Sequence, residues 1–257
     1  MHCGAAEAKL AAEHMKIVAV IPARLASTRI PRKPLREILG KPMVQRVYEA
    51  TKAASGLQDV IIATDSYEIM SLGQQLGMNV VMTSSDCKSG TDRVREIAVR
   101  FPADIYINVQ GDEPLARAEH INTLVGLMRN EQIRVGTLKT ACPAADVNNP
   151  NAVKVVTDSQ GRALYFSRST IPFDRDARGG IRYFKHLGFY AYHRATLEAF
   201  PNLHPSALED AEKLEQLRFL ENGIPIFVAE TPFDTVGVDT EDDVKRVEEI
   251  LRREGRA

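Results

Sequence analysis

The chain has 257 residues, 44% apolar and 26% charged, with a net charge of −1. This is ordinary globular composition, with room for one large α/β domain or two small ones. The near-zero charge argues against a protein that coats nucleic acid, and no apolar stretch approaches the ~20 residues of a membrane span. Cys3, Cys87 and Cys142 lie far apart with no CxxC spacing, so a disulfide framework or zinc site is not expected and a reducing cytoplasm fits. Residues 1–14 are rich in Ala and Glu and lack the apolar core of a signal peptide. They read as a disordered or lightly helical extension ahead of a single domain spanning 15–257.

The first half alternates apolar runs with amphipathic stretches. Strands are expected at Ile17–Ile21, Val60–Ala63, Val80–Met82 and Ile105–Val109. Helices are expected at Pro42–Ala54, Tyr67–Leu76, Gly90–Phe101 and Ala118–Arg129. Strands spaced by helices of this length imply βαβ crossovers and a parallel sheet covered on both faces. The second half changes character. Val153–Thr157 and Leu164–Ser167 flank Asp158-Ser159-Gln160-Gly161, a hairpin turn with Gly in a left-handed position. His186–Tyr192 and Ile226–Ala229 read as strands. Leu208–Glu221 reads as one helix with Leu208, Ala211, Leu214, Leu217 and Leu220 in a stripe. Thr240 is the expected N-cap of a closing helix that ends near Arg253. The fold class is therefore α/β: a mostly parallel, twisted, Rossmann-like sheet with a small antiparallel insertion.

The loop after the first strand, Pro22 to Leu35, holds Arg24, Arg29, Arg32 and Lys33 together with Ser27 and Thr28. Open α/β sheets bind ligands at the carboxyl ends of their strands, and clustered cations there suit a polyphosphate. No G-x-G-x-x-G follows the strand, so a dinucleotide oxidoreductase lacks support. The segment Asn108-Val109-Gln110-Gly111-Asp112-Glu113-Pro114 sets Asp112 on the same sheet edge, as a Mg²⁺ ligand or a turn residue. Asp239, between a late strand and the Thr240 cap, is a second such carboxylate or another cap residue. Ser89-Gly90-Thr91-Asp92-Arg93 opens a helix, where anions are accepted, and Thr64-Asp65 ends the second strand.

Taken with Asn151–Val156, Ala163–Pro172, Lys185–Tyr190, Leu214–Arg218 and Gly237–Thr240, these segments resemble the 3-deoxy-manno-octulosonate cytidylyltransferases, or CMP-Kdo synthetases. The resemblance runs from Met15 to Arg253. It implies the reaction CTP + Kdo → CMP-Kdo + pyrophosphate, serving lipopolysaccharide synthesis, with Mg²⁺ as cofactor and a homodimer as the working form. It implies that Arg24, Ser27, Arg29 and Lys33 hold the triphosphate, and that Asp112 and Asp239 hold the metal. Gln110, with backbone near Ser89 and Gly90, would read cytosine. Arg168, His186, Tyr190, Glu215 and Gln216 would bind the sugar acid. Related substrates, 8-amino-Kdo or a sialic acid, remain alternatives, as does a non-catalytic nucleotide-binding module. Two positions depart from the family pattern: Arg32 stands where many relatives carry Gly, and Cys87 where many carry His.

Overall fold

The computed structural model describes residues 15–26 and 29–256. The expectations for residues 1–14, Ser27 and Thr28 lie outside the described residues. The central strand, β1 (Ile17–Ala23), is buried at all seven positions. A strand covered on both faces needs apolar residues throughout, which explains the continuous run.

The loop that follows leads to a short antiparallel pair, β2 (Glu37–Ile38) and β3 (Lys41–Pro42). β1 pairs in parallel with β4 (Asp59–Thr64) on one side. β5 (Val80–Met82) pairs in parallel with β4. On its other side β1 pairs in parallel with β6 (Ile105–Asn108). The second half adds β7 (Val135–Ala141), the hairpin β8 (Lys154–Thr157) and β9 (Ala163–Ser167), then β10 (Phe184–His193) and β11 (Ile226–Glu230). The order across the sheet is β11-β7-β10-β6-β1-β4-β5, with the β8–β9 hairpin attached to β10. β10 is antiparallel to both neighbours, while β7 and β11 run parallel to each other. This is the expected class: a mostly parallel sheet with an antiparallel excursion.

On one face lie α1 (Met43–Lys52) and α2 (Tyr67–Leu76). Their Val44, Val47 and Ile69 pack on Ile17, Ala19 and Ile21. On the other face α3 (Gly90–Arg100) sets Val94 and Ile97 against Val18, Val20, Tyr106 and Tyr192. α4 (Ala118–Met128) joins the first face, and α5 (Arg194–Ala199) the second. Each fully buried aliphatic of this kind contributes about 1.5–3 kcal/mol. Among the described residues no helix is long and apolar enough to cross a membrane.

The expected helix Leu208–Glu221 is broken in two, α6 (Ala207–Glu212) and α7 (Leu217–Glu221). Lys213 caps α6 in a left-handed conformation, φ 51° and ψ 47°. The turn buries Leu214 and Leu217, while Leu208 stays 38% exposed, so the single leucine stripe does not exist. The hairpin turn is as expected: Gly161 has φ 80°, and the Asp158 carboxylate accepts from the Gln160 and Arg162 amides. The closing helix α8 (Glu241–Arg253) carries a capping box between Thr240 and Asp243. Its Val244, Val247 and Leu251 bury Ile30, Ile38 and Leu115, which anchors the cationic loop from beneath.

Candidate active site

β1, β4 and β6 are parallel, so the loops that follow them open at one sheet edge. Val109 donates from its backbone N–H to Val20 at 3.0 Å, carrying the loop after β6 alongside β1. Gly111 makes this approach possible: a Cβ there would stand 2.7 Å from the Pro22 carbonyl oxygen. The Val238 N–H donates to the Asp112 carbonyl at 3.0 Å, which brings the loop before α8 to the same place.

There the two carboxylates converge. Lys33 Nζ lies 2.7 Å from Asp112 Oδ2 and 2.9 Å from Asp239 Oδ1, and Arg29 reaches the same Asp239 oxygen at 2.9 Å. Burial pulls the Lys33 ammonium down, but the two carboxylates outweigh it and its pKa is raised. Arg24 is exposed at the mouth of the site, and Arg32 pairs instead with Glu68. Arg32 adopts φ 55° and ψ 36°, the left-handed region, so an arginine occupies a conformation that glycine favours. Its carbonyl accepts from the Leu35 N–H and closes the short turn Lys33–Leu35, which presents Lys33 inward.

A cavity of about 370 Å³ opens over these groups, lined by Arg24, Lys33, Ser89, Gly90, Gln110 and Asp112. A second, of about 510 Å³, is lined by Asn149, Lys185, His186 and Glu113, and it shares Arg29, Asp112 and Asp239 with the first. A third, of about 140 Å³, holds Tyr190, Glu215 and Gln216 and shares Gly90 and Gln110 with the first. The predicted triphosphate and metal residues Arg24, Arg29, Lys33, Asp112 and Asp239 are thus gathered; Ser27 lies outside the described residues. The five predicted sugar residues do not line one cavity. His186 faces the second and Tyr190, Glu215 and Gln216 the third, although the His186 and Tyr190 rings touch at 5.4 Å between centroids. Arg168 lies apart, its Nε donating to the Glu212 carbonyl at 2.7 Å and its Nη1 to the Pro150 carbonyl at 3.1 Å, which braces the turn at Lys213.

The charge states are set by burial. His186 is lowered to about 3, so it is a neutral imidazole; its Nε2 and the Thr137 hydroxyl stand 3.0 Å apart. Burial raises Tyr190 well above the ordinary phenol range and also raises Glu215, against hydrogen bonds from Thr91 and Ser89. Ser89 is committed twice, since its hydroxyl also accepts from the Asp92 N–H as the N-cap of α3. Gln216 Nε2 is buried without a hydrogen-bond partner. Arg93 is a buried strut, bonding Asp65 at 2.5 Å and Thr83 at 2.6 Å. Cys87 and Cys142 are free thiols. Burial and Glu96 push the Cys87 thiol up, so it is a poor nucleophile.

Glu113 and Lys185 stand out although the sequence reading gave neither a role. Burial and neighbouring Asp112 push Glu113 up to about 7, against Lys185, and its Oε2 has no hydrogen-bond partner. Lys185 Nζ is held by Asp234 at 2.9 Å and the Thr235 carbonyl at 2.7 Å. The available signal was adjacency, Glu113 following Asp112 and Lys185 preceding His186. Among the described residues no three His, Cys, Asp or Glu side chains gather to hold a metal. The site offers a pair of carboxylates that already converge on one cationic atom.

A cationic strand-end loop facing two carboxylates on a mostly parallel sheet defines a nucleotidyltransferase. A family model described as cytidylyltransferase matches residues 18–229. The chain is 66% identical to the 3-deoxy-manno-octulosonate cytidylyltransferase of Koribacter versatilis (strain Ellin345), covering 93% of this chain and 91% of that protein. It is 53% identical to the protein of the same name from Acidobacterium capsulatum, covering 92% and 97%. Among solved structures it matches a CMP:2-keto-3-deoxy-manno-octonic acid synthetase complexed with CTP, with TM-score 0.89, 44% identity and coverage of 93% and 99%. The chain belongs to the cytidylyltransferase family, among the 3-deoxy-manno-octulosonate cytidylyltransferases.

Proposed function

We propose that this protein transfers the cytidylyl group of CTP to 3-deoxy-D-manno-octulosonate (Kdo) and releases pyrophosphate. The observation that carries this reading is the placement of Asp112 and Asp239 around Lys33 Nζ, where two cavities share a wall. The first cavity suits a nucleoside triphosphate, with Arg24, Arg29 and Lys33 as its cations. The sugar then enters from the side of His186, Tyr190, Glu215 and Gln216, with Arg168 bracing the turn that carries the last two. Its anomeric hydroxyl attacks the α-phosphorus, the bond to pyrophosphate breaks, and the hydroxyl proton passes to solvent water. No covalent enzyme intermediate is needed, so the residues act by alignment and by stabilising charge.

Two carboxylates completed by substrate phosphates are a common Mg²⁺ donor set, and Asp112 with Asp239 fits it. A Mg²⁺ bound there would supply Lewis acidity at phosphorus and lower the pKa of the attacking hydroxyl. Arg29 and Lys33, released from the carboxylates, neutralise the departing pyrophosphate. Neutral His186 and protonated Tyr190 orient sugar hydroxyls by hydrogen bonding, while Glu215 accepts from them.

Pyrophosphate release with CTP, Mg²⁺ and a panel of Kdo, 8-amino-Kdo and sialic acid tests the assignment. Kdo is expected to be consumed, and Asp112→Ala is expected to lower kcat on the order of a hundredfold or more. Consumption of sialic acid with Kdo ignored overturns the substrate. Unchanged turnover in Asp112→Ala under saturating Mg²⁺ removes the carboxylate from the chemistry.

A further inference from the structure

The residues on the sugar side stand on two separate walls, and one corner of the fold joins them. His186 faces the second cavity, and its ring packs against Phe166 of β9 at 5.0 Å between centroids. Glu215 and Gln216 face the third cavity from the turn between α6 and α7. β9 ends at Ser167 and α6 ends at Glu212, and these two ends meet. The Ser167 hydroxyl donates to Glu212 Oε1 at 2.6 Å, and the Arg168 backbone N–H donates to Glu212 Oε2 at 2.9 Å. Both carboxylate oxygens are thus engaged by consecutive residues at one strand end. Ser167, Arg168 and Glu212 line none of the three cavities.

The Arg168 side chain works on the backbone of the same corner. A helix leaves its last carbonyls without intrahelical donors. Arg168 Nε takes the Glu212 carbonyl, and its Nη2 reaches the Lys213 carbonyl at 3.5 Å. Lys213 has φ 51°, a conformation that a residue with a Cβ adopts only at a cost. The turn has little preference of its own for this shape, so the contacts from β9 select it. Beyond the turn, Arg218 grips Glu209 through Nε and Nη2, each at 2.6 Å, and Thr91 donates to Glu215. Glu215 and Gln216 therefore sit in a short span that is pinned on both sides.

We infer that Glu212 is a positioning residue for the sugar acid. Its joint with Ser167 and Arg168 fixes the gap between the wall that bears His186 and the turn that bears Glu215 and Gln216. A polyhydroxylated ligand is held by hydrogen bonds, and these weaken within a few tenths of an ångström beyond their normal length. A ligand that spans both walls is gripped fully only when the gap is right, so loosening the joint costs contacts on one wall. CTP lies outside this span, against the cationic loop. The inference rests on the reading that the sugar acid binds against Glu215 and Gln216.

The test is steady-state kinetics with Kdo and CTP varied separately, and urea denaturation of the same proteins. Glu212→Gln keeps the size but sets an amide nitrogen, itself a donor, against one of the two donors. Ser167→Ala removes one donor and leaves the Arg168 N–H in place. Glu212→Gln is expected to raise KM for Kdo about tenfold, the scale of one lost hydrogen bond, with KM for CTP within about twofold of the parent. Ser167→Ala should shift KM for Kdo in the same direction by less. Glu212→Asp, which keeps the carboxylate on a shorter stem, should recover part of the loss. In a Glu212→Ala background Ser167→Ala should add little, because both cut one joint. Glu215→Gln and Gln216→Leu separate the two claims. If the parent does not consume Kdo, or if these two variants leave KM for Kdo unchanged, the sugar-site reading falls and the joint falls with it. If they raise KM for Kdo while Glu212→Gln and Ser167→Ala lower only the urea midpoint, or raise both KM values equally, the corner is merely structural and the inference alone is wrong.

Discussion

Arg32 holds a left-handed backbone that costs a non-glycine residue about 1–2 kcal/mol. Its compensation is one ion pair to Glu68 with both side chains half exposed or more, a kind of contact worth about 0–1 kcal/mol. The strain persists because the turn it makes delivers Lys33 to Asp112 and Asp239. Arg32→Gly should therefore leave stability unchanged or raise it by up to about 1 kcal/mol, since glycine relieves the strain but adds entropy to the unfolded chain. Turnover of CTP should stay near that of the parent. Urea denaturation and pyrophosphate release check both, and a loss of activity comparable to that of Lys33→Ala would make Arg32 a triphosphate ligand. The roles of Arg93 and Ser89 were less legible at this scale. Arg93 is a strut because Asp65 and Thr83 converge on it, and Ser89 is divided between a cap and Glu215. Those partners come from distant parts of the chain, and side-chain type alone does not announce them.

Among the elements, β1, β4, β5 and β6 were legible because a strand buried on both faces writes a continuous apolar run. α2 was legible from its amphipathic stretch, Tyr67–Leu76, and α8 from its cap at Thr240. β7 was missed. It lies inside the sheet, yet Thr137, Lys139 and Thr140 interrupt its pattern, and their burial depends on the Leu187 and Phe189 carbonyls and the Thr157 hydroxyl. The break at Lys213 was missed because lysine gives no signal of a left-handed cap, as glycine or asparagine would. The cap of α8 bears directly on the site. Thr240 accepts from the Asp243 N–H, and Asp243 accepts from the backbone N–H groups of both Asp239 and Thr240. Thr240→Ala should cost about 1 kcal/mol of stability by removing half of the box. It should also loosen the Asp239 backbone, so the Mg²⁺ concentration for half-maximal turnover should rise several-fold at unchanged kcat. An unaltered Mg²⁺ dependence would show that Asp239 is held without the cap.

For the molecule as a whole, three fully or partly buried histidines tie stability to pH. His120, His186 and His193 are all lowered from the ordinary imidazole value, in each case first by burial. His120 is fully buried and fixed by the Arg117 N–H and the Phe233 carbonyl, while His186 is packed against Phe166 and Tyr190. The unfolded chain takes up protons near pH 6.5 that the folded chain refuses until lower pH. The stability these groups contribute is therefore present above pH 6.5 and is lost as pH falls toward their folded values. Glu113 works in the opposite sense. Its folded value near 7 lies above that of the unfolded carboxyl, so its contribution is present at low pH and lost as pH rises toward 7. The total slope between pH 7.5 and 5.5 mixes these effects, and a single variant separates them. His186→Gln removes one imidazole and leaves Glu113 in place. The stability lost on going from pH 7.5 to 5.5 should be smaller in the variant than in the parent by up to about 1.4 kcal/mol, the full value for one proton over one pH unit below 6.5. Urea midpoints at four pH values, with constant m, give this difference directly. Equal pH dependence in the two proteins would mean that His186 titrates in the folded state as it does in water, and that the pocket facing the sugar is wet rather than closed.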